Sequence, residues 1–226
     1  THEHIVINHV GYGHLVLVNV SQASELWFST MEDPPSEVFR GWSQDGQWFL
    51  YAQWNADKER YDLWLWDVVQ GEGEMLLPHV YQATLSPDGS QVAFLQQEDR
   101  PGQVPDRIEG EVYPELWPPA LTAGVLDLET GGVILYGPAG YKASEGPYSW
   151  KGELVWSPDG ELVAYWGEEG DVWLVSADGT WRQRLTQGLE IVQVLWSPDG
   201  GKLALRSFDY AWIVGRPTQE YGAISQ

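Results

Sequence analysis

One tetrapeptide pattern constrains this chain more than any other. Ser-x-Asp-Gly occurs as SQDG from Ser43 and as SPDG from Ser86, Ser157 and Ser197, each time leading into an apolar segment. The intervals are 43, 71 and 40 residues. Repetition at such a period means that one supersecondary unit is used again and again. The chemistry of the pattern is that of a tight turn. Pro presets φ, the Asp carboxylate accepts from nearby backbone N–H groups, and Gly supplies the positive φ that closes a hairpin. Each copy therefore predicts two antiparallel strands, A and B, joined at the turn.

The segments downstream of each copy complete the unit. Strand B is WFLYA, QVAFL, ELVAYW or KLALR, and a strand C comes next as YDLWLWDV, DVWLVS or YAWIVG. A further turn, ADGT from Ala177 or the looser VQGEGE from Val69, leads to strand D. A period of about 40–45 residues is one four-stranded propeller blade. The expected fold is all-β: a single β-propeller domain over residues 1–226, with about five four-stranded antiparallel blades. The first is degenerate and spans about residues 1–40, with Gly13 in the place of the motif Gly, Trp27 on strand C and SEVFR as strand D. The others start near residues 41, 84, 154 and 194. The long interval places an insertion between strands B and C of the third unit, Glu98 to Thr122, which holds five Pro.

At these residues the chain resembles the TolB-type WD-like propeller repeats, whose pattern is aromatic-S-P-D-G-x-x-[ILV]-A, then D-[IVL]-[YW] and a DG turn. The resemblance runs from about Arg40 to Val214. The α/β domain that precedes the propeller in TolB itself has no counterpart here. The resemblance implies a β-propeller. It also implies kinship with propellers of pectate-degrading lyases and of prolyl oligopeptidase relatives, whose metal-site histidines and hydrolase domain do not map onto this chain.

Composition narrows the partners. Twelve Lys and Arg against 33 Asp and Glu give a formal charge of −21, which repels phosphate backbones and argues against nucleic acid. There is no Cys, so disulfides, thiolate catalysis and Cys-ligated zinc are out. No apolar run has the roughly 18 residues of a membrane span, so no transmembrane segment is expected. A chain that begins at Thr1 fits both a cleaved secretory signal and excision from a longer protein. The expected location is periplasmic, cell-envelope or extracellular.

Candidate residues fall into three groups. Asp45, Asp88, Asp159 and Asp199 recur one per unit and read as turn stabilisers rather than calcium ligands. Trp42, Trp156 and Trp196 precede the motif Ser, and Trp27, Trp64, Trp173 and Trp212 share a place on strand C. Recurrence at the repeat period assigns both sets to packing between sheets. Aromatic and apolar residues that do not recur, at the loop end opposite the Ser-x-Asp-Gly turns, are the candidate partner surface: Trp54, Tyr81, Tyr113, Leu116, Trp117, Tyr141, Tyr148 and Trp166. No nucleophile elbow, Walker loop, HExxH or GxGxxG is present. His2, His4, His9 and His14 cluster without a third ligand at defined spacing, so no metal and no cofactor is expected. The resulting expectation is a non-catalytic module that binds a protein partner within a larger assembly. A glycan ligand, or a polysaccharide lyase or hydrolase using Glu168, Glu169 and Asp171, is the alternative.

Overall fold

A computed structural model describes residues 4–9, 14–19, 24–27, 37–58, 60–97, 121–142, 150–151, 153–167, 170–189, 191–207 and 209–217. These residues contain no helix. The first sheet is β1 (His4–His9), β2 (His14–Asn19) and β3 (Ser24–Trp27). The second is β4 (Glu37–Trp42), β5 (Trp48–Asn55), β6 (Arg60–Asp67) and β7 (Glu72–Leu77). The third is β8 (Val80–Leu85), β9 (Gln91–Gln97), β10 (Leu121–Asp127) and β11 (Val133–Ala139). A two-stranded ladder, β12 (Tyr141–Lys142) with β13 (Trp150–Lys151), comes next. The fourth sheet is β14 (Leu154–Trp156), β15 (Leu162–Trp166), β16 (Val172–Ser176) and β17 (Arg182–Arg184). The fifth is β18 (Gln193–Trp196), β19 (Lys202–Arg206) and β20 (Ala211–Gly215). Within each sheet the strands keep chain order and every pairing is antiparallel.

Two sequence assignments change. SEVFR does not end the first sheet: Glu37, Val38 and Phe39 lie in β4 and pair with Gln53, Ala52 and Tyr51 of β5. Leu121 and Thr122 do not belong to an insertion either, because they pair with Gln97 and Gln96 as the start of β10. Residues 98–120 lie outside the described residues.

The Ser-x-Asp-Gly turns are built alike four times. The Ser hydroxyl donates to the Asp carboxylate at 2.6 Å in each. That hydroxyl in turn accepts the N–H five residues on, at 2.9–3.0 Å, and the same Asp oxygen accepts the N–H two residues on. The motif Gly donates its N–H to the Ser carbonyl with φ near +70°, a conformation that L side chains avoid. Ser176-Ala-Asp-Gly179, between β16 and β17, is wired the same way. The motif is thus a local hairpin lock, usable at either turn of a sheet.

Counting from the motif Ser explains the core. Residues six and eight on face the preceding sheet: Val92 and Phe94 pack with the second, Val163 and Tyr165 with the third, Leu203 and Leu205 with the fourth. The residue seven on faces the following sheet: Leu50, Ala93 and Ala164 are fully buried there. Two of the motif Trp residues reach backward, Trp156 Nε1 donating to the Thr84 carbonyl at 3.2 Å and Trp196 Nε1 to that of Val155 at 3.4 Å. Both acceptors stand two residues before a motif Ser, which is why Trp recurs at this place.

Candidate functional site

The end of the sheets away from the Ser-x-Asp-Gly turns carries the β5–β6, β9–β10, β15–β16 and β19–β20 connections and the crossings from one sheet to the next. It is held by two buried carboxylates at the same place, two residues before the strand-C Trp. Asp62 accepts from Asn55 Nδ2 at 2.8 Å, from Arg60 Nε at 2.9 Å and from the His79 N–H at 3.0 Å. Asp171 accepts from the Gly188 N–H at 2.7 Å and from Thr186 Oγ1 at 3.2 Å, and it pairs with Arg184. His79 and Gly188 each lie 17 residues after their Asp, each on a sheet-to-sheet crossing and each with positive φ, 55° and 66°. Each carboxylate therefore clasps the crossing to the next sheet. Burial works to raise the Asp62 carboxyl, but the Asn55 amide, the His79 N–H and Arg60 hold it below the ordinary range.

One candidate acid, Asp171, lies here, buried and bonded to Arg184, Thr186 and Gly188, an arrangement that holds a loop. Glu168 and Glu169 lie outside the described residues. The turn aspartates are committed too. Hydrogen bonds from Ser43, Ser86 and Ser197 lower the Asp45, Asp88 and Asp199 carboxyls. At Asp159 burial pushes up, but Arg216 and Ser157 bring the carboxyl down to about 2. Among the described residues no group of three or more His, Cys, Asp or Glu is placed to hold a metal ion. The backbone register sets His9 opposite His14, with His4 opposite Asn19 at the far end of the ladder. His2 lies outside the described residues.

The candidate partner residues separate. Tyr81 is 39 % exposed at the start of β8. Trp54 is half-buried near the end of β5 and meets Tyr61 edge-on, the ring centroids 5.1 Å apart. Trp166 is corrected: it is the last residue of β15, 1 % exposed, and its Nε1 donates to the Ile191 carbonyl at 2.6 Å. It stands nine residues after the motif Ser, where Ala52 and Leu95 are likewise buried, so it belongs to the core between the fourth and fifth sheets. Tyr141 lies in β12, paired with Lys151. Tyr113, Leu116, Trp117 and Tyr148 lie outside the described residues.

One exposed aromatic is not evident from the sequence pattern. Tyr210 is 69 % exposed, its ring centroid 5.9 Å from that of Trp212. It occupies the place that Asp62 and Asp171 fill in their own sheets. A Tyr where the repeat carries a clasping Asp is the signal, visible only once the strand-C positions are aligned.

No family model matches the sequence, and neither does any curated protein. Solved structures do. TolB from Acinetobacter baumannii is similar over 94 % of this chain and 49 % of its own, with a TM-score of 0.57 and 17 % identity. An oligogalacturonate lyase from Vibrio parahaemolyticus matches 90 % of this chain and 55 % of its own, at 0.60 and 18 %. The β-propeller domain of the Trilobed protease from Pyrococcus furiosus matches 92 % and 57 %, at 0.55 and 12 %. The chain spans about half the length of these proteins. At such identities the likeness is one of fold, and the fold is a TolB-type β-propeller.

Proposed function

We propose that the chain is a non-catalytic binding module: five sheets acting as successive blades, with the loop end as the surface that receives a protein partner. One observation carries the reading. Asp62, Asp171 and the turn aspartates are all engaged in holding turns and crossings, while Tyr210 is 69 % and Tyr81 39 % exposed at the loop end. Exposed Tyr is a low-entropy contact residue with an apolar body and a polar tip. In this reading residues 98–120 form an insertion on the same end, and Tyr113, Leu116 and Trp117 extend the surface.

The alternative is action on a polysaccharide, since one structural neighbour is an oligogalacturonate lyase. Two measurements separate the readings. Affinity capture from a bacterial envelope extract should yield a protein that is lost when Tyr81 and Tyr210 are both changed to Ala, or when residues 113–119 become a short Gly-Ser turn. Incubation with oligogalacturonides should release no unsaturated product. Capture that survives both variants, or release of such a product, would reverse the assignment.

A further inference from the structure

We propose that the Asp45-Gly46 bond is a site of covalent modification, the rearrangement of aspartate to isoaspartate, and that the other Asp-Gly bonds of the chain are shielded from it. Such bonds occur at Asp45, Asp88, Asp159, Asp178 and Asp199. Glycine after the aspartate opens this route, because no Cβ screens the amide nitrogen. The carboxylate takes up a proton from solvent, the Gly46 nitrogen gives up its own and attacks Cγ, and one water leaves as a five-membered imide closes. Water then opens the imide. Entry at Cγ restores aspartate, and entry at the main-chain carbonyl leaves the backbone running through the side chain. One water is lost and one regained, so the net change is an isomerisation with nothing oxidised or reduced.

The dipeptide is the same at every site, so the fold alone grades them. Closing the imide needs a neutral carboxyl and a Gly nitrogen free to turn toward Cγ. In all these turns the Gly N–H is instead donated to the carbonyl three residues back, at 2.8–3.0 Å. Each carboxylate also accepts the N–H two residues on. The remaining restraints differ. Asp88 accepts from the Ser90 hydroxyl at 2.9 Å, Asp159 from the Arg216 guanidinium, and Asp178 from the Thr180 hydroxyl at 2.8 Å. Pro87, Pro158 and Pro198 stand before Asp88, Asp159 and Asp199 and fix φ on that side. Ala177, before Asp178, is tied by its N–H to the Glu161 carbonyl at 2.9 Å. Asp45 lacks all of these. Among the described residues only the Ser43 hydroxyl, at 2.6 Å, and the Gln47 N–H, at 3.0 Å, donate to its carboxylate. The residue before it is Gln44, exposed and without a ring to hold φ. The third sheet's turn packs on this one, a Cβ on Gly89 lying 3.5 Å from Ser43 Cβ, so a main chain lengthened at Asp45 disturbs a contact between two sheets.

Ageing the whole chain at neutral pH and physiological temperature tests the proposal. Isoaspartate is counted by enzymatic methyl transfer to its freed α-carboxylate. It is located by digestion with an endoprotease that cuts before aspartate but not before isoaspartate. In urea the Asp-Gly bonds should all react alike. In the folded chain all should slow, with Asp45 leading each of the others by about fivefold, the rate equivalent of one hydrogen bond. Gln44→Pro, which copies the turns at Ser86, Ser157 and Ser197, should bring Asp45 down to their level and leave the other sites unchanged. Thr180→Ala should raise Asp178 alone. Gln44 and Thr180 are both exposed, so the variants keep the fold, and a melting temperature no lower than the parent's verifies that. Isoaspartate spread evenly over the folded chain, or led by another bond, overturns Asp45 as the site. A lead at Asp45 that survives Gln44→Pro, or an Asp178 indifferent to Thr180→Ala, overturns the turn restraints as the shield.

Discussion

At the scale of the residue, the same side chains do very different work depending on where their partners sit. Ser157 is fully buried, and its hydroxyl serves both Asp159 and the Leu162 N–H. Ser157→Ala leaves that N–H unmet in the interior and should cost about 1–3 kcal/mol in urea unfolding. Ser197→Ala removes the same two bonds in an exposed turn, where water replaces them, and should cost clearly less. Gly188 tests backbone conformation alone: φ is +66° and a Cβ there would meet nothing within 4 Å. Gly188→Ala should therefore lose about 1–2 kcal/mol through left-handed strain alone. The turn aspartates were legible in the sequence because every partner in the turn lies within two residues. The clasping role of Asp171 was not, since Arg184 and Gly188 lie 13 and 17 residues away and only the fold brings them together. Asp171→Asn should accordingly lower the melting temperature whatever activity is assayed.

At the scale of the element, strands A to C could be read wherever the Ser-x-Asp-Gly turn fixes the register, because everything from the Ser onward is counted in residues. Strand D has no such anchor. SEVFR is a short apolar segment between two sheets, and alternation alone does not say which it joins; pairing with β5 decides it. Trp166 misled for a related reason. Its neighbours in the count are Ala52 and Leu95, so a shared place was hidden by unlike side chains. The third sheet shows the reverse case, a departure from the pattern that packing demands. Gly124 pairs with Phe94, as Trp64, Trp173 and Trp212 pair with Tyr51, Tyr165 and Leu205. A Cβ on Gly124 would lie 2.7 Å from both the Phe94 ring and the Ile134 carbonyl. Phe94 fills the space that Trp fills elsewhere. Gly124→Ala should cost about 1–3 kcal/mol by overpacking, with the denaturation slope unchanged.

At the scale of the whole molecule, charge sets how stability responds to pH. With 33 acids against 12 Lys and Arg, most carboxylates lack a cation. Several of the cations bind sheets together: Arg216 reaches from beyond β20 to Asp159 and Glu161 beside the fourth sheet's turn, and Arg182 stacks on Trp173 while donating to the Tyr136 carbonyl of the third sheet. Acidification from neutrality brings the net charge down from −21 toward zero near the sequence pI of about 4.3, which relieves self-repulsion and favours the compact state. One group of carboxyls behaves oppositely. Asp45, Asp62, Asp88, Asp127 and Asp199 are lowered in the folded chain, and Asp159 and Asp178 titrate at about 2. A carboxyl lowered by folding contributes stability that is complete above its unfolded pKa of about 4 and is lost as pH falls toward the folded value. The two trends cross. The melting temperature should rise from pH 7.5 to about 5, then fall below about 4. Added salt should raise it at pH 7.5, where repulsion operates, and barely move it near pH 4.5, where net charge is small. Asp159→Asn should flatten the acid limb, having removed one of the lowered carboxyls along with the Arg216 pair. Calorimetry across this range tests both effects: a melting temperature that fails to rise between pH 7.5 and 5 would mean that self-repulsion does not limit the stability of a chain at −21, and one that fails to fall below pH about 4 would mean that the aspartates locking turns and crossings contribute little.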